Sequence, residues 1–195
     1  MKFTSQDKIN SRSETIIKPY RKHFANTIPP DKQYWTLCAE CNHPESEYNQ
    51  VINNGLIQPE NFHGVDLDAQ AIDDNISHCE GKFFLGDIFQ VMANHEGFNP
   101  AIINLDFLRT FNEELNNIRK VILMLAEYDQ VLLSFNVLIG NFRVKHRDPD
   151  DIIYSMRDDP DIAMAICEHG WKNMETYLYK GKGHKTLMAS VTMFK

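Results

Sequence analysis

Five short apolar segments alternate with helical segments, and this alternation constrains the fold more than any other feature of the chain. The apolar segments cover residues 34–38, 62–66, 82–85, 101–105 and 130–135. Helical patterns fill residues 45–55, 69–79, 88–95 and 112–127 between them. Strands joined by crossover helices pair in parallel, and nearly continuous apolar character is typical of strands covered on both faces. The sequence therefore predicts an α/β fold with a mostly parallel sheet.

The last third of the chain predicts a different pairing. Two short helices at residues 150–156 and 161–169 precede two strands at 176–180 and 186–194. The link Gly181-Lys182-Gly183-His184 favours an antiparallel hairpin between these strands. The sheet then has seven strands, and the whole is a Rossmann-like three-layer αβα sandwich with a C-terminal antiparallel β-hairpin.

The amino-terminal segment predicts one helix outside this alternation. It starts at Ser11 or Ser13 and runs to Asn26, with Arg12 on its polar face. Prolines at 29 and 30 follow the helix. We therefore divide the chain into an N-terminal helical extension, residues 1–30, and a Rossmann-like domain, residues 31–195.

Composition limits the class of protein. A chain of 195 residues fits one domain, and its net charge of −7 argues against a protein that coats nucleic acid over its whole surface. No apolar run reaches the roughly 18 to 20 residues of a membrane span. Four cysteines are too few for a disulfide framework in a chain of this size. These features predict a cytoplasmic protein that does not bind membranes.

Carboxylates follow three of the first four predicted strands. Asp66, Asp87 and Asp106 stand at these ends, and the carboxyl ends of parallel strands meet at the edge of the sheet where ligands bind. A carboxylate after the second strand suits a ribose diol, because it accepts both hydroxyl protons. The alternative is that each aspartate only caps the helix that follows it.

Three segments resemble motifs of the class I, Rossmann-like S-adenosylmethionine-dependent methyltransferases. They are Gly64-Val65-Asp66-Leu67-Asp68, Leu85-Gly86-Asp87-Ile88 and Asn104-Leu105-Asp106-Phe107. The resemblance covers about residues 34–194 and includes the order of five alternating units and a terminal hairpin.

The resemblance implies S-adenosylmethionine as the cofactor and assigns residues to it. Asp66 with Leu67 would bind the ribose, Asp87 would face the adenine amino group, and Ile88 would pack on the adenine ring. The loop Cys38, Ala39 and Glu40 would hold the methionine end. Asn104, Asp106 and Phe107 would form the catalytic group that orients the methyl acceptor, with Asp106 as a proton acceptor and Phe107 stacking on a base.

Two departures from the family pattern support a second hypothesis. The loop at residues 38–44 contains no glycine, although the family usually needs glycine there for close approach of the backbone to the cofactor. The segment at 104–107 lacks the two prolines that amino-directed DNA methyltransferases carry. The alternative is a non-catalytic protein that keeps the methyltransferase fold and has lost the cofactor.

The basic segment at residues 143–147 provides a candidate nucleic-acid contact. Arg143, Lys145 and Arg147 follow the fifth strand, at the edge where the ligand is expected. A solvated surface is the alternative for so short a run. Nucleic acid is thus the favoured methyl acceptor, and the small single domain is typical of a viral or mobile-element protein.

Other chemistries have weaker support. Cys38, Cys41 and His43 have zinc-like spacing, but no second close pair completes a site, and only the adjacent His78 and Cys79 offer a further ligand. We therefore predict no metal. The chain has no G-x-S-x-G elbow, phosphate loop or G-x-G-x-x-G segment, which argues against hydrolases, nucleotide triphosphatases and nicotinamide dehydrogenases.

Overall fold

A seven-stranded sheet with the order β3-β2-β1-β4-β5-β7-β6 forms the centre of the molecule. The computed structural model describes residues 6–37, 41, 43–141, 150–180 and 186–195. The strands are β1 (Gln33–Leu37), β2 (Phe62–Asp66), β3 (Lys82–Leu85), β4 (Pro100–Thr110), β5 (Leu132–Asn141), β6 (Lys172–Lys180) and β7 (Thr186–Phe194). The first five strands pair in parallel, whereas β7 pairs antiparallel with β5 and β6. The predicted α/β fold and terminal hairpin are confirmed.

Helices cover both faces of the sheet, which gives the predicted three layers. They are α1 (Gln6–Arg12), α2 (Lys18–His23), α3 (Glu47–Asn53), α4 (Ala69–His78), α5 (Ile88–Asn94), α6 (Phe111–Met124), α7 (Asp150–Asp158) and α8 (Pro160–Glu168). One apolar core, here the main core, joins α5, α6, α7 and α8 to one face through residues such as Ile118, Met156 and Phe135. A second core joins α2, α3 and α4 to the other face through Tyr20, Val51 and Ile72. Among the described helices, none has both the length and the apolar character to cross a membrane.

The amino-terminal helical segment buries its apolar residues Ile16, Ile17 and Tyr20 as the periodicity predicts, but its bounds and the place of Arg12 differ from the prediction. The described chain is helical from Gln6 to His23, with a π-helical turn at Ser13–Ile17 between α1 and α2. Arg12, predicted on the polar face, is only 8% exposed. Its guanidinium lies 3.4 Å from a carboxylate oxygen of Glu47. Tertiary contacts with charged and polar side chains, which helical periodicity does not report, stabilise this earlier start.

A layer of aromatic rings lies on the main-core face of β1, β2 and β3. His63 on β2 stacks on Trp35 with ring centroids 4.5 Å apart and on Phe84 at 5.8 Å. The His63 ring is fully buried, and its Nδ1 lies 3.0 Å from the carbonyl oxygen of Asn61. Burial is the main cause that lowers the pKa of His63 to about 4; the hydrogen bond with Asn61 opposes this shift, and the charges of Lys82 and His95 add to it. His63 is therefore neutral at pH 7.

Acid is expected to destabilise the protein through His63. The unfolded chain binds a proton at this residue below about pH 6.5, whereas the folded protein binds it only near pH 4. The contribution of neutral His63 to the free energy of unfolding is therefore fully present above about pH 6.5 and decreases as the pH falls. Between pH 7.5 and pH 5 the free energy of unfolding decreases by about 2 kcal/mol. Urea denaturation at both pH values is expected to show that His63→Phe reduces the loss by this amount. The same substitution at exposed His78 is the control, and an equal reduction there would contradict the assignment.

Candidate functional site

The carboxyl ends of β2 and β3 carry the acids that the sequence singled out, and the structure separates their roles. Asp68, not Asp66, is the N-cap of α4, since it accepts a hydrogen bond from the backbone N–H of Gln70 at 2.9 Å. Asp87 is the N-cap of α5 and accepts from the Gln90 N–H at 3.0 Å. The capping alternative therefore holds for Asp87 and not for Asp66. Asp66 has another local role.

Asp66 is held in a fixed orientation at the end of β2. Its Oδ1 accepts a hydrogen bond from the backbone N–H of Asp68 at 2.9 Å, and its carbonyl oxygen accepts one from the N–H of Gly86 at 2.9 Å. Among the described residues, no hydrogen bond reaches its Oδ2. The side chain is half-buried, so it is partly open to solvent while its Oδ1 is oriented by the backbone of Asp68.

Two large apolar side chains at the ends of β2 and β3 are open to solvent. Leu67 is 77% exposed and Leu85 is 57% exposed, and Asp66 and Leu85 are paired in register. Gly86 follows with φ +148°, a backbone conformation that L side chains rarely adopt. The edge thus combines an oriented carboxylate with exposed apolar surface and a glycine turn. This combination suits a nucleoside, whose ribose is a diol and whose base is apolar on its faces.

Ile88 and Phe107 are not brought to this edge. Ile88 is 3% exposed and Phe107 is 6% exposed, and both belong to the main core. Stacking of Ile88 on an adenine ring and of Phe107 on a base therefore stay predictions that would need the packing around them to change. The predicted contacts at Cys38, Ala39, Glu40, Arg143, Lys145 and Arg147 lie outside the described residues.

Buried polar side chains form two rows across the other face of the sheet. The first row pairs Thr36, Asn104, Ser134 and Thr192 on four adjacent strands. The second row pairs Asp106, Asn136 and Ser190. We call these seven residues the polar layer; all but Asp106, which is half-buried, are buried. Side chains of this kind need hydrogen-bond partners when they leave water, and α1 with the π-helical turn supplies several of them.

Asp106 is the charged member of the polar layer. Its carboxylate forms an ion pair with the ammonium of Lys8 on α1 and accepts a hydrogen bond from Asn136 Nδ2 at 3.2 Å. Burial raises the pKa of Asp106, but the charge and hydrogen bond of Lys8, the charge of Arg12 and the Asn136 bond outweigh it and lower the pKa below its usual value. Asp106 is therefore an anion at neutral pH.

Asn104 lies beside Asp106 on β4 and is joined to a second charged pair. Its Nδ2 donates to Glu47 Oε2 at 2.9 Å, while Glu47 Oε1 accepts from the Tyr34 hydroxyl at 2.8 Å. Glu47 also faces the guanidinium of Arg12. Within the described ranges, the carbonyl oxygen Oδ1 of Asn104 has no hydrogen-bond partner although it is buried. This acceptor is therefore available to a donor from outside the described residues.

Residues of α1 and of the π-helical turn form hydrogen bonds with the polar layer. The hydroxyls of Ser11 and Ser190 are 2.8 Å apart, and Ser190 in turn donates to Asn136 Oδ1. Thr192 Oγ1 donates to the carbonyl oxygen of Thr15 at 2.9 Å. Residues of α1 and the π-helical turn therefore contact Asp106, Ser190 and Thr192 directly, whereas Asn104 is held by Glu47 on α3.

Sequence reasoning did not identify several residues at this site. Lys8, Arg12, Glu47, Asn136 and Tyr179 lie far apart in the sequence and meet only in the fold. Burial, and next the charge of Asp106, raise the pKa of Tyr179 well above its usual range. The available signal was the polar residues Asn104, Ser134 and Asn136 within otherwise apolar strands, which mark the part of this face that lies beside the second core and is packed with polar side chains.

The described residues contain no group of three or more histidine, cysteine or acidic side chains that could hold a metal ion. Cys41 contacts Cys79 rather than standing in a four-ligand cluster. No metal site is derived from this geometry.

Comparison with solved structures supports the fold, whereas two other comparisons found no match. No protein-family model matches the chain, and no curated protein matches it. Among solved structures, the METTL16 methyltransferase domain superposes with a TM-score of 0.57 at 8% identity, covering 96% of this chain and 66% of that one. Sp1610 of Streptococcus pneumoniae, a candidate tRNA (m1A22) methyltransferase, superposes with a TM-score of 0.52 at 9% identity, covering 91% and 68%.

The chain has the class I methyltransferase fold. Sp1610 solved in complex with S-adenosyl-L-methionine also superposes, with a TM-score of 0.50 at 9% identity, covering 91% of this chain and 71% of that one. This chain spans about two thirds of the length of each of these proteins. At such identities the methyltransferase fold is what the comparison establishes, and the chemistry must be argued from the site.

Proposed function

We propose that this protein is an S-adenosylmethionine-dependent methyltransferase. The observation that carries the proposal is the edge at β2 and β3 of a methyltransferase fold, where an oriented Asp66 carboxylate is followed by exposed Leu67 and paired in register with exposed Leu85. Because Asp68 caps α4, Asp66 is not needed to satisfy that helix. An oriented carboxylate beside open apolar surface fits the ribose and base of an adenosine.

The residues of the chain have separate roles in this proposal. Asp66 would accept hydrogen bonds from the ribose hydroxyls, and Asp87 would lie near the base while it caps α5. The loop with Cys38, Ala39 and Glu40 would hold the methionine end, as the family resemblance implies. The cofactor supplies a methyl group already activated on a sulfonium, so the main task of the protein is to align an acceptor with it.

The polar layer supplies the chemistry for the acceptor. The buried Oδ1 of Asn104 has no partner among the described residues and would accept a hydrogen bond from an amino or amide N–H of the acceptor. Asp106 is ionised and would accept a proton once Lys8 moves from its carboxylate. Phe107 would contribute only if the main core opened at its edge.

We further propose that the acceptor belongs to a nucleic acid. The support is the candidate tRNA methyltransferase among the structural neighbours and the basic run Arg143, Lys145 and Arg147 in the sequence. Side chains of this type contact phosphates, and the net charge of −7 confines such contacts to a local patch.

Two observations support a second candidate function. The loop at residues 38–43 contains no glycine, and the proposed proton acceptor Asp106 is held in an ion pair with Lys8 on α1. Both features suit a non-catalytic protein that keeps the fold and binds a partner or nucleic acid. This alternative predicts no affinity for the cofactor and nucleic-acid binding that requires Arg143 and Arg147 but not Asp66.

Calorimetry on the reduced protein tests the proposal. Saturable one-to-one binding of S-adenosylhomocysteine is expected, with no binding of NAD as the control for a generic Rossmann site. Transfer of a radiolabelled methyl group from S-adenosylmethionine to total RNA or DNA, lost after nuclease treatment, tests the acceptor. Absence of S-adenosylhomocysteine binding, together with a gel shift that depends on Arg143 and Arg147, would establish the non-catalytic alternative.

A further inference from the structure

Different kinds of contact hold the two ends of the amino-terminal helical segment. The π-helical turn and α2 are anchored by apolar side chains, since Ile16, Ile17 and Tyr20 lie in the second core. Within the described chain, no residue of α1 belongs to either apolar core. The two buried residues of α1, Ser11 and Arg12, are polar. The segment therefore has an apolar anchor at one end and a helix that buries only polar side chains at the other.

Polar contacts hold α1 against the rest of the fold. Lys8 forms an ion pair with Asp106, and the hydroxyl of Ser11 lies 2.8 Å from that of Ser190. Arg12 adds the ion pair with α3 that is described above. When a helix separates from the fold, water replaces polar contacts of this kind, whereas exposed apolar surface has no such compensation. Thus α1 is the part of the segment that separates at the lower cost.

The π-helical turn at Ser13–Ile17 has the features of a hinge. The carbonyl oxygen of Ser11 accepts a hydrogen bond from Thr15 Oγ1 at 2.8 Å, and the carbonyl oxygen of Thr15 accepts one from Thr192 Oγ1 at 2.9 Å. Side-chain hydroxyls therefore bind the backbone where α1 ends. Single π-helical turns interrupt the regular hydrogen bonds of a helix and are frequent at functional sites. Rotation at this turn moves α1 and leaves α2 in the second core.

Lys8 binds the group that the proposed reaction needs. Asp106 is the proposed proton acceptor, and both side chains of the ion pair are only 18% exposed. Burial raises the pKa of Asp106, but the charge and the hydrogen bond of Lys8 contribute to lowering it below its usual value. A carboxylate that is paired with an ammonium is a weaker base towards a third group. The docked position of Lys8 therefore opposes proton transfer to Asp106.

We propose that α1 is an autoinhibitory lid, hinged at the π-helical turn, whose Lys8 blocks Asp106 until the lid opens. The proposal rests on the proposed function, because it concerns the access of a methyl acceptor to Asp106. Asp66 on β2 is separated from Asp106 on β4 by β1, so the docked lid leaves the cofactor edge open. Loss of Lys8 should then increase methyl transfer. A residue that binds the acceptor or supports Asp106 would show the opposite effect.

Hydrogen exchange followed by NMR tests the hinge. Because α1 opens separately, its amides at residues 10–12 are expected to exchange at least about tenfold faster than those of α2 at residues 20–23. Lys8→Met should accelerate exchange in α1 by a further factor of about ten and leave α2 unchanged. Lys18→Met is the matched control, since Lys18 is exposed and pairs with Glu14 at the surface; it should change neither rate. Equal exchange of α1 and α2, or no effect of Lys8→Met on α1, would overturn the lid.

A reversible crosslink tests the inhibition. The hydroxyl oxygens of Ser11 and Ser190 are 2.8 Å apart, so cysteines at these positions are close enough to form a disulfide. The double variant with Ser11→Cys and Ser190→Cys is oxidised with diamide to hold the lid closed. Methyl transfer to total RNA or DNA is expected to fall at least about tenfold relative to the same variant in its reduced form, because the competent population is removed. Binding of S-adenosylhomocysteine should change by less than about twofold. Diamide-treated wild type is the control for the native cysteines.

The activity of Lys8→Met gives the second readout. Its methyl transfer is expected to exceed that of the wild type at least about threefold, since the open population increases, whereas Lys18→Met should match the wild type. Transfer that persists in the crosslinked variant, or lower transfer by Lys8→Met, would overturn the autoinhibition. Absence of S-adenosylhomocysteine binding to the wild type would refute the proposed function and the inhibition with it. The exchange rates would still decide whether Lys8 docks a hinged helix.

Discussion

Asp66→Ala is expected to weaken the binding of S-adenosylhomocysteine by about a hundredfold or more. A hydrogen bond to a charged group contributes about 1.5–3 kcal/mol, and the half-buried Asp66 carboxylate would accept two of them from a ribose diol. The Asp68 N–H already orients the carboxylate in the free protein. Binding therefore costs little side-chain entropy at Asp66, and nearly the whole energy of the two hydrogen bonds is lost when the carboxylate is removed. Calorimetry on the reduced variant measures the change.

Asp68→Ala is the matched control, because it removes a carboxylate two residues away with a different local role. Asp68 caps α4 through the Gln70 N–H, so this variant is expected to lose about 1 kcal/mol of folding stability and to keep wild-type affinity. The two variants thus separate ligand binding from capping. If both bind the ligand like wild type, or if Asp68→Ala loses affinity as strongly as Asp66→Ala, Asp66 does not hold the ribose.

The separation between Asp66 and Asp68 also shows where sequence reasoning succeeded. Alternating apolar segments predicted the parallel sheet, because each crossover unit is encoded locally by its own periodicity. The terminal hairpin followed from a glycine-containing link between two strand-like segments. The acids at the strand ends could be located in the same way. Whether an aspartate caps a helix, however, depends on which residue begins that helix. Single hydrogen bonds such as those of Asp66 and Asp68 determine this helix boundary, and the sequence does not reveal them.

The polar layer could not be predicted because its members meet only through strand order and register. Asn104 and Ser134 stand on β4 and β5, and Thr192 joins them from β7, which inserts between β5 and β6. The charged partners come from α3, through Glu47, and from α1, through Lys8 and Arg12, and helical periodicity places Arg12 on the polar face although it is buried. A buried arginine is uncommon unless it is paired. The partner of Arg12 is Glu47, which is distant in the sequence, so no local pattern indicates either the pair or the burial.

Glu47 links the proposed catalytic residue Asn104 to contacts that stabilise the fold. Glu47 holds Asn104, Tyr34 and Arg12 together. A change at this carboxylate therefore acts on the N-terminal extension and on the acceptor site at once. In contrast, Asp66 lies at a half-exposed edge outside the polar layer, so its substitution should leave folding nearly unchanged. Substitution of Asp66 should therefore change ligand binding alone, whereas substitution of Glu47 should change the free energy of unfolding.

Glu47→Ala is expected to destabilise the fold by about 4 kcal/mol, because removing one partner of a buried ion pair leaves the other charge uncompensated. The side chains of Arg12 and Glu47 are only 10% and 11% exposed, and Asn104 Nδ2 also loses its acceptor. Urea denaturation at pH 7.5 measures the change. Glu45→Ala is the matched control: Glu45 is exposed and contacts Arg12 only through its backbone carbonyl oxygen, so a change within about 0.5 kcal/mol is expected.

A double-mutant cycle separates the ion pair from the other contacts of Glu47. If Arg12 and Glu47 are coupled, the double variant with Arg12→Ala and Glu47→Ala should be more stable than the sum of the two single losses predicts, by about 1–3 kcal/mol. The reason is that the second substitution removes the charge that the first one left buried. Strict additivity would show that the pair is not coupled, and the cost of Glu47→Ala would then come from its bonds to Tyr34 and Asn104.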